Sequence, residues 1–294
     1  MSDISDKRVK KIFQKLENND SRFLEMVSPF LEGLYQYYFR VDIQGWENVP
    51  EKPSLFVGNH NGLLTYEVLM VFYAWYKKYG VSRKAVGLAH GIAVDNPLLS
   101  WLLPRLGAVP AHPKVAHQAF EKNFSVLVYP GGEKEAWRPS AEKKKIEFFQ
   151  RKGFIRLALR ERVPIVPIVS IGAHETYMIF SRGDELAEKL GLRKKLRMHG
   201  LPVTPSTIFL MWCLSTGMLT FFPLLLAPFA LASVLAPLPA KMSFRILPAV
   251  DVCSMVVPNL SEEENLQIIY DHVTSVMQKV LSEEYEKRKW PVIG

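Results

Sequence analysis

Cysteine is nearly absent from this chain, with only Cys213 and Cys253 in 294 residues and no metal-binding or redox spacing between them. Nothing in that pattern calls for a disulfide framework or an oxidising compartment, so the core must be built from apolar burial. The short signatures of several common chemistries are also missing. There is no G-x-S-x-G elbow, no G-x-x-x-x-G-K-[ST] phosphate loop and no G-x-G-x-x-G fingerprint, which counts against a serine hydrolase or a nucleotide enzyme. His174-Glu175 opens like a zinc-binding helix, but Met178 stands where the second histidine belongs, and no metal is expected. His112 and His117 are five apart, off one helical face, and read as surface residues. The opening "MSDISDKRVKKIF" lacks the apolar run of a signal peptide, from which a chain kept on the cytoplasmic side is expected.

The most informative absence is of charge. Residues 198–240 contain no Asp, Glu, Lys or Arg over 43 positions, including "STIFLMWCLSTGMLTFFPLLLAPFALASVLAP". A transmembrane helix needs ~20 uninterrupted apolar residues, whereas the stretch before Pro223 has 17. The strand-like "KMSFRILPAV" that follows is expected to rejoin the sheet, so the chain must return to the side it left. A re-entrant helical hairpin with breaks at Pro223 and Pro228 meets both constraints; the other reading is an unusually apolar core hairpin. Basic runs lie upstream, "LRKKLR" at 192–197 and lysines within 142–153, and near an anionic bilayer each such charge adds ~1 kcal/mol of attraction.

What the chain does have is a surplus of eight positive charges and 48% hydrophobic residues, enough apolar material for one large domain or two modest ones. Phospholipid headgroups, acyl-carrier cofactors and nucleic acid would all be attracted. Nucleic acid is not expected, because the basic residues lack interleaved exposed aromatics and the uncharged segment would have no purpose. Residues 1–40 read as helices forming a membrane-facing collar. From about Tyr38, strand-like runs alternate with helical ones: "FRVDIQGW", "SLFVGN", an apolar helix over 63–78, "KAVGLA", "VAHQAFEK", "FSVLVYPGG", "GFIRLALRER" and "PIVPIVSI". This predicts an α/β domain over 41–260 with a mostly parallel central sheet flanked by helices. Ser261 followed by Glu264 is a capping box that opens a C-terminal helix in 261–294, packed on that domain.

Three features carry candidate chemistry. His60 follows the "SLFVGN" strand, where a side chain can face a cleft at the sheet's carboxyl edge. "VLVYPGGEKEAWRP" begins its glycine pair 71 residues after His60; adjacent glycines let backbone N–H groups approach a phosphate or an oxyanion. "VPIVPIVSIGAHET" offers a stiff strand able to line an apolar slot.

In that order and with those gaps, the three motifs resemble the glycerolipid O-acyltransferases of the phospholipid and glycerol acyltransferase superfamily. "YPGGEKEAWRP" and "PIVPIVSIGAHET" look most like bacterial members near the monoacylglycerol and diacylglycerol acyltransferase branch. The resemblance spans about 54–178, with "PLPAKMSFRI" at 237–246 also similar. It implies a glycerol-phosphate acyltransferase-like fold and a membrane-associated transfer of an acyl group from a thioester, acyl-CoA or an acyl carrier protein, to a glycerolipid hydroxyl, with no cofactor. His60 would be the general base. The family places an acid five positions after this histidine, but here that residue is Thr65 and the first acid is Glu67. Were the helix to begin near Asn61, seven residues would advance ~700° and return Glu67 to the face of His60; otherwise Glu67 points to solvent or to a backbone donor. The family's Glu-Gly-Thr-Arg block is only approximated by Gly131, Gly132, Glu133 and Arg138. Asn59, Gly131, Gly132, Glu133 and Arg138 are expected to bind the oxyanion, donor or acceptor, with Arg138 on a phosphate. His90 lies in the region of the family's acceptor block and reads either as structural or as an acceptor contact. A lipid-binding protein of the same fold without the chemistry is the competing reading, and the displaced acid is its support.

Overall fold

The computed structural model describes residues 4–17, 21–62, 64, 66–89, 101–192, 200–217, 236–290 and 292–294. His90, the basic residues 193–197 and the part of the uncharged segment that holds Pro223 and Pro228 lie outside the described residues.

Strands form where runs of β-branched and aromatic residues are bounded by Gly, Pro or Asn: β1 (Asp42–Gln44), β2 (Leu55–Gly58), β3 (Ala85–Ala89), β4 (Ala108–Pro110), β5 (Ser125–Val128), β6 (Ile165–Ile171) and β7 (Ser243–Ile246). They make one sheet in the order β1-β7-β6-β2-β5-β3-β4. Neighbours from β6 to β4 are parallel, whereas β7 runs antiparallel to β6 and carries β1 parallel to itself. The sheet is mostly parallel, as expected, and "KMSFRI" does rejoin it, though against the direction of its neighbour β6. β2 sits in the middle, with Leu55 opposite Val126 of β5 and Ile165 of β6. The chain leaves β2 toward β3 and β4 and later returns to its other side with β6. That reversal makes the carboxyl end of β2 a switch point, the place where an open α/β sheet leaves a crevice.

Both faces of the sheet are covered, which is why β2 and β6 are buried throughout and read as continuous apolar runs. Leu55, Val57, Val126, Ile165 and Val169 face a core shared with α1 (Asp6–Glu17), α4 (Pro113–Glu121), α6 (Gly153–Glu161) and α9 (Glu262–Lys287). Phe56, Leu127, Val166 and Ile168 face the other, with Phe39 and Met70, Val71 and Trp75 of α3 (Tyr66–Tyr79). Each such side chain contributes about 1.5–3 kcal/mol by leaving water. Residues 1–40 divide between two roles. α1 packs Val9, Phe13 and Leu16 into the core, while α2 (Ser21–Gly33) and the π-helical turn after it keep Met26, Phe30 and Tyr37 exposed.

The segment after β6 is pinned by the C-terminal end of the described chain. Glu175 accepts bonds from Arg288 Nη2 at 2.7 Å, Val292 N–H at 2.8 Å and Lys143 Nζ at 2.8 Å. Arg40 donates to the carbonyls of Val292 and Pro239, and Gly172 N–H reaches the Tyr285 hydroxyl. His174 is 1% exposed and its Nε2–H donates to the Arg138 carbonyl at 2.9 Å. Both residues of the zinc-like pair thus support the fold. His112, by contrast, caps α4 by accepting from Lys114 N–H, and His117 bonds Glu161 at the surface.

Two predictions follow from these contacts. Ser261 Oγ accepts Glu264 N–H while the Glu264 carboxylate accepts Ser261 N–H, so Ser261→Ala should cost about 1 kcal/mol in urea unfolding. Burial, and then the Arg138 charge, pushes His174 down to about 3. On acidification below its ordinary pKa of about 6.5 the unfolded chain takes up a proton there while the folded chain does not, so stability is lost as pH falls. His174→Gln, which keeps an N–H for the Arg138 carbonyl, should lose about 1–2 kcal/mol less than the parent between pH 7 and pH 5.

Candidate active site

The stretch Asn59-His60-Asn61 leaves the end of β2 with alternating directions, and the two asparagines turn inward. Asn59, 0% exposed, donates Nδ2–H to the Ser170 carbonyl at 3.0 Å and accepts Ser170 N–H on Oδ1 at 2.8 Å. It therefore extends the β2–β6 pairing with a side chain. Asn61, 1% exposed, donates Nδ2–H to the Asn59 carbonyl and to Ser170 Oγ, and its Oδ1 accepts from Arg138 Nη2 at 2.9 Å. His60 between them faces the other way and keeps 16% of its side chain exposed.

Glu67 lies in the first turn of α3, where the helix dipole favours a carboxylate. Its Oε1 accepts the Asn61 N–H at 2.9 Å and lies 2.7 Å from His60 Nδ1. The residues thus meet, but not along a helical face, because α3 begins at Tyr66 rather than near Asn61. The approach is made by a turn through Gly62 at φ +80°, a region closed to most side chains. With the carboxylate on Nδ1, the proton resides there and Nε2 keeps its lone pair.

The imidazole is backed by Tyr129 at the end of β5, stacked at 4.6 Å between centroids and 26° between planes. A side chain at Gly58 would strike that ring at 2.5 Å, so the close approach requires glycine at the end of β2. Burial, with the charges of Glu67 and Glu135, pushes the Tyr129 phenol well above its usual value and keeps it neutral. Beneath His60 the main chain is held by Glu135 of α5 (Gly132–Ala136): Oε2 accepts His60 N–H at 3.0 Å and Oε1 accepts Glu147 N–H at 3.2 Å. Burial pushes this carboxyl up to about 7, opposed by Arg138 and by those two N–H groups.

The residues expected to touch donor, acceptor or oxyanion are placed differently from one another. Arg138 is 2% exposed, bonded to Asn61 and 3.3 Å from Glu135 Oε1, and it stands behind the imidazole at the edge of a cleft that it helps to line. Asn59 has both atoms of its side-chain amide on Ser170 of β6. Gly132 N–H is taken by the Tyr129 carbonyl at 3.1 Å, whereas Gly131 N–H donates no bond among the described residues. Glu133 is half-buried on α5, where its charge acts on Arg182. A cleft of about 640 Å³ beside this block is lined by Lys134, Arg138, Arg182 and Lys189 but also by Glu142, Glu147, Asp184 and Glu185, a balanced wall and not a basic one. His90 lies outside the described residues.

Sequence reasoning missed Glu135, Tyr129, Asn61 and Ser170 as parts of the site. Two signals were available. Ser170 is the one polar residue of "PIVPIVSI", and Glu135 precedes Arg138 by three, the spacing of neighbours on a helical turn.

Comparison with known proteins agrees with the geometry. Residues 40–171 match the family described as Acyltransferase. An uncharacterized protein of Mycobacterium tuberculosis is 30% identical over 183 residues, 62% of this chain and 49% of that one. A 1-acyl-sn-glycerol-3-phosphate acyltransferase of Limnanthes alba is 28% identical over 48% of each chain, and a diacylglycerol O-acyltransferase 2 of Xenopus laevis is 26% identical over 51% of this chain and 44% of that one. The chain spans about half the length of these curated relatives. The fold is similar to the crystal structure of the 1-acyl-sn-glycerophosphate acyltransferase PlsC from Thermotoga maritima, at a TM-score of 0.51, with 17% identity over 99% of this chain and 85% of that one. His60 and Glu67 thus pair at the carboxyl edge of such a sheet, within the residues 40–171 that are similar to the Acyltransferase family.

Proposed function

We propose that the protein moves a fatty acyl group from acyl-CoA to a hydroxyl of a glycerolipid at a membrane surface, with His60 as general base. The observation that carries this reading is the 2.7 Å contact between His60 Nδ1 and Glu67 Oε1, which leaves Nε2 free to accept a proton. In the proposed reaction Nε2 takes the proton of the acceptor hydroxyl as its oxygen attacks the thioester carbonyl carbon. Glu67 holds the tautomer and stabilises the imidazolium. The tetrahedral intermediate collapses with cleavage of the C–S bond, and the proton passes from His60 to the departing thiolate. No acyl-enzyme forms. Gly131 N–H is the donor proposed for the oxyanion, a role often worth about 3 kcal/mol.

Membrane association rests on α8 (Pro205–Ser215), an apolar helix that leaves Ile208, Phe209, Met211, Trp212 and Leu214 exposed around its circumference. No helix among the described residues is long and apolar enough to cross a membrane. A short helix with no polar face is costly in water and is stabilised by lying in lipid. The net charge of +8 fits an anionic surface, and the proposed side is the cytoplasmic one. The competing reading, a lipid binder without chemistry, drew on the displaced acid, and the contact between Glu67 and His60 removes that ground.

Acyl transfer from labelled acyl-CoA should be measured in vesicles with lysophosphatidic acid, monoacylglycerol and diacylglycerol as acceptors. His60→Ala should lower kcat about 10³-fold and Glu67→Gln about 10²-fold; normal turnover in His60→Ala would overturn the mechanism. Phe209→Asp with Trp212→Asp should weaken sedimentation with anionic vesicles by about tenfold or more while the unfolding midpoint is unchanged.

A further inference from the structure

The proton transfer just described makes no use of Glu135, yet among the described residues no other carboxylate accepts the main-chain N–H of His60. It is 0% exposed and takes His60 N–H on one oxygen and Glu147 N–H on the other. Its neighbour Arg138 reaches the next residue of the same loop through Asn61 Oδ1. A buried acid and a buried guanidinium thus grip the two consecutive residues that set where the imidazole ring stands. Of the ring's other supports, Tyr129 acts on the side chain alone, and Glu67 on the ring and the Asn61 N–H.

How the carboxylate reaches this place is unusual. α5 is a single short turn, and it folds Glu135 back over Gly131 so closely that a Cβ on Gly131 would overlap its Oε2, Cβ and Cδ. Gly131 itself has φ −64° and ψ −28°, a backbone that any residue adopts. What excludes a side chain at 131 is therefore Glu135, through its Cβ as well as its carboxylate, and not the conformation of the chain.

We propose that Glu135 is a positioning residue for the catalytic base, acting through the His60 amide. The proposal rests on the reading of His60 as the base for its kinetic readout, so a second readout independent of turnover accompanies it. In the full-length protein on vesicles, Glu135→Ala should lower kcat about 30- to 100-fold with KM for the acyl donor within about threefold. Amide hydrogen exchange of the segment 55–62 should rise about tenfold or more. Glu135→Gln, which keeps a side-chain oxygen able to accept the His60 N–H, should hold protection of that segment and kcat to within about tenfold of the parent.

A folded Glu135→Ala protein that keeps both protection and kcat would overturn the positioning role. A Glu135→Gln protein that falls to the Glu135→Ala level in both would overturn the acceptance of the His60 amide as the means of positioning. Should the parent transfer no acyl group at all, the proposed activity fails, and exchange protection lost in Glu135→Ala and kept in Glu135→Gln still supports the positioning role. Should Glu135→Ala fail to fold, Glu135→Gln decides, supporting the proposal if it folds with 55–62 protected and overturning it if it does not.

Discussion

One carboxylate oxygen holds the site together. Glu67 Oε1 receives both the Asn61 main-chain N–H and the His60 ring, so the turn that presents the imidazole and the ring itself share a single acceptor. A buried carboxylate is costly unless its bonds are satisfied, and the helix dipole at the start of α3 offsets part of that cost. The turn through Gly62, the inward asparagines and the glycine under Tyr129 all serve to bring that oxygen and that ring within reach.

Around this contact the polar groups are arranged in depth. Asn59 and Ser170 join β2 to β6 beyond the end of their ladder, Arg138 ties Asn61 to the layer below, and Glu135 closes that layer against the His60 main chain. In a low-dielectric interior such bonds strengthen one another, and a broken member leaves its partner unsatisfied. A site of this kind is stiff because its failure modes are expensive. α8 is the opposite, presenting apolar side chains with little packed against them.

Much of the architecture was legible in the residues because burial on both faces writes itself as continuous apolar runs. "SLFV", "SVLV" and "IVPIVSI" are strands β2, β5 and β6 nearly to the residue, and the capping box at Ser261 opens α9. The meeting of His60 with Glu67 was also legible, though its geometry was not, since the helix starts five residues later than the periodicity argument required and a turn does the work. Direction was the hardest property to read. Asn59 and Arg138 carry groups that suit a ligand, and only the folded chain reveals that both point into protein. The same limit hid Glu135 behind its neighbour Glu133, because a five-residue helix has too little period to show which face is inside. The edge of the sheet held another surprise, with β7 and β1 running against the remaining strands.

The bonds from Arg288 and Val292 to Glu175 join positions 113 and 117 residues apart. During synthesis the segment behind the active-site loop therefore emerges long before its partners do, with Lys143 as the one ion-pair partner of Glu175 already made. At a translation rate of about 5–20 residues per second, that interval lasts on the order of ten seconds. For that time a nearly complete sheet carries the His60 loop with its backing unfinished, and the site is completed only when Arg288 and Val292 arrive.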